Sequence, residues 1–185
     1  MKKPFFMSIF LLMISCGVYA QMEHMQFMDI PMDGKISAFQ KELKKIGFVS
    51  NDKAKDNAKE AFLDCRMYKG SFAEEVVDLA VFYDRDTKMV IQTKVKINGL
   101  SKDQADKKYD KFFNGIKEKY DKGNFDKNVL DNPDRYGIGV PNSDKSSYVG
   151  YVCLSKIVDA YSGKVSVVLE YCDFANYNDS IDRLQ

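Results

Sequence analysis

The chain has 185 residues, with 28 lysines and arginines against 27 aspartates and glutamates, and one histidine. This length suits one domain with a real hydrophobic core, and 45% apolar with 30% charged residues is a globular composition, not a disordered one. A net charge of +1 gives no reason to expect nucleic acid or an anionic membrane surface as a partner, and a single histidine excludes a two-histidine metal site within the chain.

Residues 1–20 read as a secretory signal peptide. Lys2 and Lys3 supply the basic start, Phe5 to Ile14 an apolar run too short to span a bilayer, and Val18-Tyr19-Ala20 the small residues of a cleavage site between Ala20 and Gln21. The alternative is a lipoprotein-type cut at Met13-Ile14-Ser15-Cys16, with lipid attached to Cys16. No second long apolar run follows, so no membrane span is expected. The expected location is the periplasm or the medium.

After a Met-rich lead-in, Ile30-Pro31 is expected to be extended, because the residue before proline avoids the helical region. Ile36, Phe39, Leu43 and Ile46 recur at the spacing of one helical face, with Gly47 placed to stop the helix. Asn51 to Lys59 reads as an exposed loop. Ala61 to Phe72 alternates loosely, with a turn or bulge expected at Lys69-Gly70-Ser71. Val76 to Tyr83 reads as a strand, Asp84 to Lys88 as a polar hairpin loop. In the next strand Met89, Ile91, Thr93, Val95 and Ile97 face one way, and Gln92, Lys94 and Lys96 the other.

Ser101 and Gln104 form a capping box. Behind it Ala105, Tyr109, Phe112, Phe113, Ile116 and Tyr120 make a stripe over four turns, a helix running to about Lys122 with Gly123 at its end. Asn124 to Lys145 reads as a long irregular loop. Tyr148 to Val158 and Lys164 to Asp173 read as a hairpin, and Phe174 onward as a polar tail, 177–185 lying outside the domain. The fold class is therefore α+β: an antiparallel sheet with two helices on one face, residues 21–176 forming one domain of two helix-plus-meander halves at about 33–97 and 101–175.

Export places the three remaining cysteines, Cys65, Cys153 and Cys172, in a disulfide-permissive compartment. A two-residue Ser162-Gly163 loop would pair Tyr161 with Lys164 and set Cys153 opposite Cys172. That hydrogen-bonded pair has a Cα separation of about 5.5 Å, within disulfide range. The alternative is three separate thiols in a half-buried sheet. Cys65 has Arg66 beside it in sequence, but neighbours on a strand point to opposite faces.

His24 lies close to the expected mature terminus, with no nucleophile motif around it. Asp131, Asp134 and Asp144, with Asn128, Asn132 and Asn142, make an oxygen-rich loop whose spacing does not match an EF-hand. No phosphate-cradling loop or dinucleotide fingerprint is present, so no cofactor or metal is expected. Tyrosines crowd the last third; Tyr136, Tyr148, Tyr151 and Tyr161 are candidates for an interaction surface.

The stretch His24-Met25-Gln26-Phe27-Met28-Asp29-Ile30-Pro31-Met32-Asp33-Gly34, then Phe39, Leu43 and Gly47-Phe48, resembles the opening of a family of uncharacterised secreted proteins from Bacteroidales gut bacteria. Lys69-Gly70-Ser71-Phe72-Ala73 and the ending Val165, Val167, Leu169, Tyr171, Asp173 and Asn176 resemble it too. The resemblance implies an envelope location and an α+β domain, and brings no catalytic residue with it. The expectation is a non-catalytic binding or interaction domain whose partner is an envelope protein, a peptide or a glycan. The alternatives are a carboxylate-dependent envelope hydrolase using Asp131 or Asp134 with Glu170, and a lipid-anchored structural subunit.

Overall fold

A computed structural model describes residues 23–54, 60–120 and 134–184. Residues 1–20 with Cys16, the cleavage site at Ala20 and Gln21, the end of the second helix beyond Tyr120, and Asn128, Asp131 and Asn132 lie outside the described residues.

The chain opens with a small hairpin, β1 (Gln26–Phe27) and β2 (Ile30–Pro31), turned through Met28 and Asp29 at positive φ. The lead-in is core rather than periphery: Met25, Phe27 and Met32 are fully buried. Helix α1 (Ile36–Lys45) buries Ile36, Phe39 and Leu43 and gives way at Gly47, whose φ of 93° needs a glycine. Then come β3 (Val49–Ser50), β4 (Leu63–Phe72), β5 (Glu75–Asp84) and β6 (Val90–Leu100). Helix α2 (Lys102–Tyr120) starts on the expected capping box: the Ser101 backbone N–H donates to Gln104 Oε1 at 2.9 Å and the Gln104 N–H to Ser101 Oγ at 3.3 Å. Finally β7 (Arg135–Pro141), β8 (Tyr148–Val158), β9 (Val165–Asp173) and α3 (Phe174–Asp182) complete the chain.

Strands β3 to β9 form one antiparallel seven-stranded sheet in the order β3-β4-β5-β6-β9-β8-β7. Each half of the chain supplies a helix and then a meander, and the last strands of the two meanders, β6 and β9, pair at the centre. Helices α1 and α2 cover one face, where Phe39, Leu43, Phe112 and Ile116 join Phe27, Leu79, Val95 and Leu169 in the main core. Helix α3 covers part of the other face, over a second cluster of Leu63, Ala80, Phe82, Ile91 and Cys172.

Five local expectations are corrected. Lys69-Gly70-Ser71 is not a turn but runs inside β4. Its glycine is there because the Phe48 ring lies on it, so that an added Cβ would stand 2.5 Å from that ring; the turn falls at Ala73 and Glu74, both at positive φ. In β6 an irregularity opposite Phe82 and Tyr83 turns Val90 into the main core and Ile91 into the second cluster, breaking the simple alternation. Residues 135–141 of the expected irregular loop form the edge strand β7, where Tyr148 covers Gly139. The polar tail is α3, part of the domain. It is started by the buried Asp173, whose Oδ1 accepts the Asn176 N–H at 2.9 Å.

The β8–β9 hairpin is the fifth. Its loop is not two residues but 159–164, because the Asp159 carboxylate collects the backbone N–H groups of Tyr161 and Ser162 and the Ser162 hydroxyl. Val158 therefore pairs with Val165, Cys153 with Glu170 and Cys172 with Tyr151. The slip is two residues, so each side chain keeps its expected face, but the two cysteines are no longer opposite. No disulfide joins them, and the three cysteines of the described residues are thiols.

Candidate functional site

The face under α3 carries rows of side chains running across the central strands. One row sets Phe82 of β5, Gln92 of β6, Cys172 of β9 and Tyr151 of β8 side by side; the next sets Lys94, Glu170 and Cys153 in line. Helix α3 arches over the first row, with Phe174 beside Tyr151 at a ring separation of 5.8 Å and Tyr177 beside Phe62 at 6.2 Å. It stops short of the second row. The space left between them is a cavity of about 220 Å³, lined by Leu63, Phe82, Phe174 and Tyr177 on its apolar walls and by Gln92, Lys94, Glu170 and Arg135 among its polar groups.

Lys94 and Glu170 form an ion pair at 3.7 Å and are only 14% and 12% exposed. The Lys94 ammonium also lies 4.9 Å from the centre of the Phe82 ring, a cation–π contact that compensates part of its lost hydration. Arg135 enters from edge strand β7. Its Nε donates to Cys153 Sγ at 3.0 Å, and that hydrogen bond raises the guanidinium pKa above its already high ordinary value. Burial pushes the Cys172 thiol up to about 12, so at neutral pH it is a protonated, apolar lining group and not a nucleophile. Burial likewise raises the Tyr151 phenol, which remains a neutral donor.

The stability of this face rests on its ends. Asp173 is fully buried; its Oδ2 accepts the Met25 N–H at 2.7 Å and meets His24 Nδ1 at 3.1 Å. His24 is thereby a fastener of the N-terminal segment rather than a catalytic base. Asn176 donates from one amide nitrogen to Met32 O at 2.6 Å and Val90 O at 2.8 Å. At the other end of α3, Arg183 meets Asp84 Oδ2 at 2.8 Å. Asp84 is buried, which opposes its ionisation, but hydrogen bonds from Thr87, Ser180 and Arg183 outweigh that and hold its carboxyl well below the usual range.

The four candidate tyrosines are not brought together. Tyr151 lines the cavity. Tyr136 lies on the opposite face, edge-on to Phe113 of α2 at 4.8 Å. Tyr148 lies over Gly139 at the sheet edge, and Tyr161 is fully exposed at the hairpin loop. The carboxylates of the hydrolase alternative are likewise separated. Asp134 pairs at 3.1 Å with Lys156, which also holds Asp106 of α2, whereas Glu170 faces α3. Asp144 and Asn142 close a turn on Ser146 and Ser147. Among the described residues no group of three or more acidic, cysteine or histidine side chains is arranged to hold a metal ion.

A larger cavity, about 300 Å³, opens on the α2 face between Met28, Phe72, Phe112, Ile116, Tyr120 and Tyr171. It is nearly all apolar, and it lies at Tyr120, the last described residue of α2. The cavity under α3 is the stronger candidate, because it combines an aromatic lining with several convergent polar groups.

The residues that sequence reasoning missed are Arg135, Phe82 and Phe174, whereas Tyr177 stands out in sequence only as one of the tyrosines that crowd the last third. The wet side of β6 with Gln92 and Lys94 was visible as alternation, but its covering helix was not. No family model, no curated protein and no solved structure matches this chain.

Proposed function

We propose that this is an exported binding domain that captures a ligand without transforming it, and that the ligand enters the cavity between α3 and the central strands. The observation that carries this is the pairing of aromatic walls with Lys94, Glu170, Gln92 and Arg135 in one half-open hollow. Charged groups at that degree of burial are costly unless something repays them, and a polar ligand is what such a hollow suits. Capture rather than catalysis is favoured by the chemistry of the lining. Its thiol is protonated, its one strongly buried carboxylate is engaged by a lysine, its second carboxylate, Glu60, is solvent-exposed, and Asp134 is held from the other side of the sheet.

Export is proposed from the basic, apolar and small-residue succession of residues 1–20. Terminal sequencing of the protein accumulated by cells expressing the full chain should find Gln21 first; a lipidated Cys16 would overturn cleavage at Ala20. For the binding role, protein purified under native conditions from the envelope is denatured, and the released small molecules and companion chains are identified by mass spectrometry. A stoichiometric ligand recovered unchanged, and lost in Gln92→Trp, which fills the cavity, is the expected result. A ligand recovered from Gln92→Trp in equal amount, or a probe turned over by the wild type, would overturn it.

A further inference from the structure

The apolar cavity on the α2 face is a trough with a ligand chemistry of its own, independent of the binding role proposed for the cavity under α3. One wall is a single stripe of α2, where Lys111, Phe112, Gly115, Ile116, Lys119 and Tyr120 fall at helical spacing. Met28, Phe72, Leu169 and Tyr171 stand across from it. From Lys111 to Tyr120 the helix rises about 14 Å at 1.5 Å per residue. A hollow of about 300 Å³ drawn out along that length is narrow, and suits a chain rather than a ring. Its volume is about twice the roughly 150 Å³ that admits benzene, room for about ten to twelve carbon atoms.

Gly115 keeps the trough open. Glycine inside a helix is costly relative to alanine. Neither backbone nor packing requires it here: its φ is not positive, and an added Cβ would meet no atom within 4 Å. It lines the trough, so the room a larger side chain would take is the trough's own.

The polar side chains that line it are two phenols and two ammonium groups, with no acidic or amide side chain among them. Tyr171 is only 8% exposed, and its hydroxyl makes no hydrogen bond to any described residue. Burial raises its phenol pKa, with the neighbouring Tyr120 adding to the rise. Burial and then the charge of Asp29 push Tyr120 up to about 12. Both are therefore neutral donors at ordinary pH. Lys111 is engaged, donating to Ala73 O at 3.0 Å and Glu74 Oε2 at 3.1 Å. Lys119 lies 5.5 Å from the centre of the Tyr120 ring and forms no ion pair with a described residue. The end of the trough at Tyr120 thus offers donors and an unpaired cation, and the rest offers hydrocarbon.

From the length of the trough, the open wall at Gly115 and the donors at one end, we infer that it binds one medium-chain fatty acid. The tail lies along Phe72, Phe112, Ile116 and Leu169, and the carboxylate meets the Tyr171 and Tyr120 hydroxyls within reach of Lys119.

The test uses isotope-labelled protein from cells expressing the full chain, freed of co-purified lipid. It is titrated with decanoate, decan-1-ol and 2-naphthoate and followed by amide chemical shifts. Decanoate should give saturable shifts at Phe72, Phe112, Gly115, Ile116, Leu169 and Tyr171, and leave Leu63 and Gln92 of the other cavity unmoved. Decan-1-ol should move the same amides with affinity weaker by about tenfold, the loss of a charge-assisted hydrogen bond. Tyr171→Phe should bring decanoate down to the level of the alcohol. Lys119→Gln should weaken decanoate by about threefold at low salt and not at high salt. Gly115→Leu should abolish the binding of both chains while the thermal midpoint holds or rises; Tyr171→Phe serves if that variant folds poorly.

Silence of the trough amides with decanoate, or binding that survives Gly115→Leu, would overturn the site. Equal affinity for decanoate and decan-1-ol, or a preference that survives Tyr171→Phe, would overturn the carboxylate. Tighter binding of 2-naphthoate would overturn the chain. Nuclear Overhauser contacts of Phe72 or Ile116 with Phe125, Val129 or Leu130 in the unliganded protein would assign the trough to the chain's own residues and overturn the proposal.

Discussion

On the α1/α2 face, Phe27 stacks on Phe72 at 5.7 Å and meets Tyr171 and Phe48 edge-on, with Leu79, Val81, Val95 and Leu169 fully buried around them. On the α3 face the same strands bury Phe82 and Cys172 next to Lys94, Glu170 and Gln92. The first is packed for stability, as dense apolar contact demands. The second keeps polar groups half covered, and its cavity is lined by charged as well as aromatic side chains, whereas the cavity of the first face is nearly all apolar. Alternate residues of one strand thus meet two environments: Val95 lies in the main core, and Lys94 lines the cavity under α3.

Four substitutions probe the two faces, and the largest effect is expected on the α1/α2 face. Phe27→Ala should cost about 3–5 kcal/mol of unfolding free energy in denaturant titration, because three rings lose their common partner. Asp173→Ala attacks the other face at its fastening. It removes the α3 cap and strands the buried Met25 N–H, at about 2–3 kcal/mol, and amide exchange should show α3 loosened ahead of the central strands.

Gly70→Ala is next, at about 1–3 kcal/mol by overpacking against Phe48; Phe48→Leu in the same chain should recover part of that loss, which thermal melts of the double variant would check. Ser101→Ala, removing half of the α2 capping box, should cost about 1 kcal/mol and leave ligand capture untouched.

Acid sharpens the contrast further. The folded-state pKa of Asp84 lies below its unfolded value, so the unfolded chain binds the extra proton first and the stabilisation is lost as pH falls. Stability should be steady above about pH 5 and decline below the ordinary aspartate value of about 3.9. Asp84→Asn should be less stable at neutral pH and show a shallower acid decline in melts recorded across that range.

The sequence made the α1/α2 face readable and the α3 face only in part, for physical reasons. Stripes such as Ile36, Phe39, Leu43 and Phe112, Ile116 repeat at the helical period, and the capping box of Ser101 is local. Both helices, the antiparallel sheet and the two helix-plus-meander halves follow from such signals. Helix α3 hides because its interior positions are polar: Asn176 and Ser180 are buried by hydrogen bonds to Met32 O, Val90 O and Asn176 O, which no periodicity of apolar residues announces. Without α3 there is no cavity, so Phe174 and Tyr177 read as tail residues and Arg135 as part of a loop. The β8–β9 register failed for a related reason. The Asp159 side chain sets the loop, and a two-residue error that preserves every face leaves the hydrophobic pattern unchanged.

The junction of β6 with β9 sets the order in which the molecule assembles. Within each half the meander joins neighbours in sequence, Phe72 with Glu75 and Val158 with Val165, contacts that close small loops quickly. The junction instead joins Gln92 to Cys172 and Leu100 to Val165, and must wait until a long stretch of chain has returned. Folding is therefore expected to be limited by the meeting of two preformed leaves along one seam. The floor of the cavity, where Lys94 of one leaf faces Glu170 of the other, exists only once that seam has closed.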